Sequence, residues 1–190
     1  CSNYNTVIPI FIFTPEQVGD KNPYRSSNAI QFMIESLEEL DAEFIKRKSR
    51  LHFFMGENLA VLKKIKAELG NKLEAICCNQ DYTPYAVKRD LEIEKWCQKQ
   101  DIKFDLVEDY LLAPIGTIQK SDGKPYTVFT PFKNAGFKIE VAKPNKKKST
   151  NFSTLKFKNE LNIAELKLKI SFQKNENILC SGGRFLGKQI

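Results

Sequence analysis

Residues 7–13, VIPIFIF, form a near-continuous apolar run of β-branched and aromatic residues, the pattern of a central strand, with Pro9 at its entry because proline donates no ladder bond. Thr14-Pro15 closes the run, and residues 16–25 read as a polar loop. Ser26 or Ser27 can then cap a helix reaching about Lys48, whose stripe is Ile30, Met33, Ile34, Leu37, Leu40, Phe44 and Ile45. Residues 51–55 predict a short strand closed by Gly56. Residues 58–69 predict a helix with Leu59, Leu62, Ile65 and Leu69 inward and Gly70 as its stop.

The stretch LEAICCNQDYTPYAVKRD, residues 73–90, changes character in its middle. Residues 73–78 read as a strand buried on both faces, Thr83-Pro84 stops it, and from Tyr85 a helical stripe of Val87, Leu91, Ile93, Trp96 and Cys97 runs to about Gln100. Residues 103–107 are the next strand. The alternation predicts an α/β fold, a doubly wound parallel sheet with right-handed crossovers. Beyond Glu108 it stops: Asp122-Gly123 supports a turn, and Thr130 can cap a helix with Pro131 at its first position and Phe132 and Phe137 inward. Residues 143–151 have the composition of a linker, which divides the chain into an α/β domain over 1–142 and a basic linker over 143–190. The last residues, LCSGGRFLGKQI, look like a helix that has only begun.

Charge sharpens this division. From Lys133 onward there are thirteen Lys and Arg against four Glu, a balance of +9 within an overall +7. Such a segment attracts phosphates weakly and without sequence preference; the plainer reading, a solvated lysine-rich linker, is favoured because no reading helix or motif accompanies the lysines. Five cysteines without ligand spacing, including the adjacent Cys77 and Cys78, point to buried free thiols in a reducing compartment, hence an intracellular, cytoplasmic or nuclear protein. His52, the single histidine, sits in a strand and reads as structural, which weakens any histidine triad or zinc site. No apolar run approaches the roughly 20 residues of a membrane span. GxGxxG and GxxxxGK[ST] are both missing, so dinucleotide and P-loop phosphate binding have no local signal. In an open α/β sheet, ligands bind at the carboxyl edge, where strand alternation places a candidate pocket walled by Phe13, Thr14, Pro15, Asn79, Asp81, Tyr82 and Tyr85.

DYTPYAVKRD (residues 81–90) and GKPYTVFTPFKNA (residues 123–135), with NPYRSSNAIQFMIESLEEL (22–40) and the terminal SGGR (181–184) in order, resemble the DNA photolyases and cryptochromes. The resemblance implies an amino-terminal α/β domain that carries an antenna chromophore in the family, then a long linker. It also implies a helical domain that binds FAD and damaged DNA and repairs pyrimidine dimers by light-driven electron transfer, or signals in blue light. That helical domain is absent from this sequence, so the chain alone is expected to hold no FAD, to be inactive, and to work with a helical FAD domain in cis or in trans. No residue is named as catalytic or metal-binding.

The resemblance carries departures as well. Members begin with a further central strand bearing an arginine-rich segment, whereas only residues 1–6 precede the first apolar run here. Two strands with unpaired edges are therefore expected, in a fragment, a split-gene product, or a chain that receives the strand in trans. Folate-binding members place an Asn-Glu pair where Tyr85 and Ala86 stand, and deazaflavin-binding members place an acid and an arginine where Thr14 and Ala29 stand. Asp81 alone keeps the pattern, so a different chromophore, or none, is expected. The alternatives from other classes are a nucleotide- or chromophore-binding module of the same fold, and a degenerate fragment that docks a separately encoded helical domain.

Overall fold

Among the described residues four strands form: β1 (Ile10–Phe13), β2 (His52–Met55), β3 (Ala75–Asn79) and β4 (Lys103–Val107). β1 lies parallel to β2, with Ile10 opposite His52, and β3 lies parallel to β4, with Ala75 opposite Lys103. A one-turn helix α1 (Pro15–Val18) and the long α2 (Ser27–Lys46) connect the first pair, α3 (Asn58–Leu69) follows β2, and α4 (Pro84–Lys99) connects the second pair. Parallel strands joined by helices are an α/β arrangement of the Rossmann-like type. The protein is a computed structural model that describes residues 4–109, 111–141, 143 and 149–188. The chain divides into two compact units, Cys1–Gly70 with Lys148–Ile190, and Asn71–Lys147. The lysines at 146–148 lie outside the described residues.

The ladder bonds show which strand edges are occupied. His52 N–H donates to Pro9 O at 2.9 Å and Gly56 N–H to Phe13 O at 3.0 Å, so alternate residues of β1 turn toward β2 while Ile10 and Ile12 turn their backbone groups to the other edge. Lys103 N–H to Glu74 O and Gln80 N–H to Val107 O, both 2.9 Å, leave Ala75, Cys77 and Asn79 on the far edge of β3. Among the described residues neither far edge makes a ladder bond.

In the first unit the core gathers Phe13, Ile30, Ile34, Leu37, Leu51 and Phe53 with Leu166 and Ile170, and a second cluster joins Phe54, Val61 and Ile65 to Phe157. Residues far along the chain are thus part of this core. Leu161 N–H donates to Phe53 O at 2.8 Å on the outer edge of β2, and Phe152 packs edge-on to Phe44 with ring centroids 4.9 Å apart. His52 is fully buried and structural: its Nδ1 lies 2.6 Å from Glu160 Oε2, while Arg50 holds the other oxygen at 3.1 Å. A capping box between Asn162 and Glu165 starts α6 (Ile163–Lys169). Gly182 N–H donates to Glu35 at 2.7 Å and Gly183 N–H to the Ser36 hydroxyl at 3.0 Å, docking the turn before α7 (Arg184–Gly187) on α2. A side chain on Gly182 would run into the Phe32 carbonyl.

The second unit departs from several sequence expectations. α4 buries Ala86, Asp90, Ile93 and Cys97, while Val87 and Leu91 are exposed. Ile93 and Cys97 are buried as expected, while in the first half of the helix the buried positions are Ala86 and Asp90, one residue before the expected Val87 and Leu91; Asp90 is tolerated there because Arg89 Nε donates to its carboxylate at 2.7 Å. β3 is half-exposed rather than buried on both faces, since β4 alone pairs with it. Cys77 is accordingly exposed and Cys78 half-buried, and Cys97 is the buried thiol; all three are free. α5 runs Phe129–Gly136 with Val128 at its cap, so Pro131 stands third in the helix, where its missing N–H would have had no partner in any case. Phe132 and Phe137 are exposed, not inward.

Candidate functional site

At the carboxyl end of β1, Phe13 is fully buried and Thr14 nearly so. Thr14 O accepts the N–H groups of Gln17 and Val18 at 3.0 Å, which folds α1 back over the strand end with Pro15 in its first position. A cleft of about 260 Å³ opens there, lined by Pro15, Gly19, Asp20, Arg25, Met55 and Lys169 among others. Pro15 lies two residues past the end of β1 and Met55 ends β2, so this is the carboxyl edge of the first parallel pair. The Arg25 guanidinium is fixed by Val18 O at 2.9 Å and by Ser171 O, with the Asp20 carboxylate 3.9 Å away. Two cations and one acid around a partly apolar hollow suit a small ligand with an anionic end. Of the seven residues expected to wall a pocket, Pro15 alone lines this cleft.

The other four expected residues belong to the second unit, around the turn from β3 to α4. Asn79 ends β3 and is exposed. Asp81 accepts from Thr83 N–H at 3.0 Å and from the Thr83 hydroxyl at 3.4 Å, and these donors hold its carboxyl below the ordinary aspartate range, the backbone N–H most of all. Thr83 in turn caps α4 by accepting from Ala86 N–H at 3.3 Å. Tyr82 donates to Glu108 at 2.9 Å; desolvation first, and then this acceptor, push its phenol up. Tyr85 is exposed. Burial pushes the Cys78 thiol up, with a further contribution from the Asp90 carboxylate, and burial does the same to Cys97. Neither is an activated nucleophile. Arg25 and Lys169 were missed because nothing short of the folded structure joins positions so far apart in sequence. The only local hint was the polar loop ahead of α2.

The fold is that of an α/β protein of the Rossmann-like type with its cleft at the carboxyl end of a parallel pair. It belongs to the DNA photolyase family: residues 1–148 match that family's model, and the chain corresponds to the family's amino-terminal α/β region. A solved archaeal photolyase from Sulfolobus tokodaii, described with two FAD molecules and a novel light-harvesting cofactor, is 37% identical. It superposes with a TM-score of 0.82 over 99% of this chain and 40% of its own. Cryptochrome-1 of Anopheles gambiae is 31% identical over 127 residues, 66% of this chain and 23% of that protein. A (6-4) DNA photolyase of Arabidopsis thaliana is 29% identical over 132 residues, 65% of this chain and 23% of that protein. The chain therefore spans about a quarter of these curated relatives. No helix among the described residues is long and apolar enough to cross a membrane.

Proposed function

We propose that this chain is the α/β part of a light-driven DNA-repair photolyase and acts with a helical, flavin-binding part in cis or in trans. The observation that carries the reading is the likeness to the archaeal photolyase across 99% of the chain at 37% identity. Flavin and damaged DNA belong to the helical part in this reading, and no catalytic residue is assigned here. The cleft measures about 260 Å³, at the lower edge of the roughly 300–1,000 Å³ of most ligand pockets, and no chromophore is assigned to it. No step of repair is routed through it. What this chain contributes is a folded platform for the helical part, and its basic residues from 133 onward add sequence-blind attraction to phosphates.

The test is survival of ultraviolet-irradiated bacteria lacking their own photolyase. Co-expression of this chain with the part of the archaeal photolyase that it does not cover restores survival in visible light, and the chain alone restores none. Rescue by the chain alone, or no rescue by the pair when both are present and folded, overturns the reading.

A further inference from the structure

Folding joins two basic stretches that are far apart in the chain. One is the run Lys46-Arg47-Lys48-Ser49-Arg50 at the carboxyl end of α2; the other is residues 149–158, which continue the lysine run at 146–148. The Ser49 hydroxyl donates at 2.5 Å to Ser153 O, 104 residues away, and the Arg47 guanidinium lies over the Phe152 ring at 5.9 Å. Lys156 stands just past Ser153, in a turn where the Ser153 hydroxyl accepts the Leu155 N–H at 3.0 Å. Carboxylates on these elements are already engaged: Glu43 pairs with Lys46 at 2.5 Å, Glu160 with Arg50 at 3.1 Å, and Asp41 accepts the Leu51 N–H at 2.7 Å. Arg47, Lys48 and Lys156 are exposed and make no ion pair among the described residues. Lys48 is also strained, with a φ of +59° in the left-handed region. It closes α2 where glycine is the usual residue, its N–H donating to Ile45 O and the Ser49 N–H to Phe44 O. Among the described non-glycine residues Asp101 alone shares a positive φ, and aspartate tolerates it better than lysine. A lysine kept where glycine would relieve the backbone points to a use for its charge.

We propose that Arg47, Lys48 and Lys156 form a contact face for the sugar–phosphate backbone of duplex DNA, separate from any recognition of a lesion. The choice of DNA among polyanions rests on the function proposed above. Charge complementarity argues for the occupant: three cations without acid partners face solvent together, and arginine and lysine are the usual cationic donors to phosphate oxygens. A protein partner fits less well, because the cores of protein interfaces are depleted in lysine and enriched in aromatic side chains. Here the exposed apolar side chains are the aliphatic Ile45 and Leu155, and Phe152 is half-buried under Arg47. All three cations belong to the first compact unit, so the face is complete within it.

The experiment is fluorescence anisotropy of the full chain with a labelled, undamaged duplex over a salt series. Lys48→Gly raises the urea midpoint or leaves it unchanged, because glycine accepts the left-handed backbone, yet it lowers the slope of log affinity against log salt by about 0.9 and weakens binding about fivefold at physiological salt. Arg47→Ala, Lys48→Gly and Lys156→Ala together lower the slope by about 2.7. Lys21→Ala, Lys63→Ala and Lys64→Ala remove the same charge from exposed positions elsewhere in the unit, and the slope changes by less than about 1. Equal losses in the two triple variants would mean that net charge alone binds DNA, and would overturn the face. Full affinity in Lys48→Gly, or binding to phosphatidylserine vesicles with none to the duplex, would overturn it as well. Each of these results leaves the proposed function standing, since that is tested by rescue with the flavin-binding part. Absence of rescue alongside the expected titration removes that function and leaves the DNA contact.

Discussion

Leu166 tests whether the distal residues are part of the folded unit or only tethered to it. Its side chain is fully buried in the cluster of Phe13, Ile34, Phe53 and Ile170, more than a hundred residues from most of its neighbours. Leu166→Ala removes the buried methyl groups and leaves a cavity whose walls belong to a strand and a long helix that cannot collapse into it. Such changes cost about 3–5 kcal/mol, a large share of the roughly 5–15 kcal/mol that holds a domain together. With a urea slope of about 2 kcal/mol/M, the midpoint falls by ~1.5–2.5 M. Urea titration followed by far-ultraviolet circular dichroism reads the shift, and amide exchange in β1 and β2 localises it. Leu168→Ala is the control, because Leu168 is 86% exposed and its loss stays within about 0.5 kcal/mol. If Leu166→Ala matched that control, the packing of α6 described above would be wrong.

Gly182→Ala places a methyl group against the Phe32 carbonyl, so it detaches the turn before α7 and accelerates amide exchange at Gly183, Arg184 and Phe185 while sparing β2. Thr83→Ala removes the cap of α4 and costs about 1 kcal/mol in thermal or urea unfolding. The Asp81 carboxyl, lowered by the Thr83 N–H, titrates below an ordinary aspartate by carbon-detected NMR. A lowered folded-state value means a contribution present above the unfolded value and lost as pH falls through the folded one, so the turn at 81–83 loosens only in acid; a titration at or above the ordinary value contradicts this. In fluorescence anisotropy the chain binds intact and dimer-containing DNA equally, at roughly 10⁻⁴–10⁻⁶ M in physiological salt, and changing Lys146, Lys147 and Lys148 to Ala flattens the salt slope; a preference for the lesion refutes it.

Local signals carried much of the fold. Ser26 stands at the N-cap position of α2, though its side chain makes no cap bond, and Gly70 stops α3 with a φ of +57°. Each is a short-range effect of one or two residues on the backbone, and strand identity follows similarly from β-branched and aromatic runs. In α4 the burial of Ile93 and Cys97 was legible but that of Ala86 and Asp90 was not, because they stand at the same spacing as the apolar Val87 and Leu91 beside them. A carboxylate in the buried stripe also disguised it. Phe157, Leu161, Leu166 and Ile170 show no clean period, and their burial depends on strands formed by residues far earlier in the chain. Conversely, α5 reads as an ordinary amphipathic helix, yet none of its residues is buried, and periodicity alone cannot tell a covered face from an exposed one. The cleft at the end of β1 and β2 escaped for a related reason: Arg25 and Lys169 become neighbours only through folding.

The central claim is that this chain is one part of a photolyase. Its most direct test is the light-dependent loss of pyrimidine dimers from irradiated DNA, measured with the purified chain, with the purified flavin-binding part, and with the two together, in light and in darkness. Loss of dimers only by the pair and only in light is the predicted result. Repair by this chain alone, or a pair that binds reduced flavin and damaged DNA in light yet removes no dimers, would contradict the account.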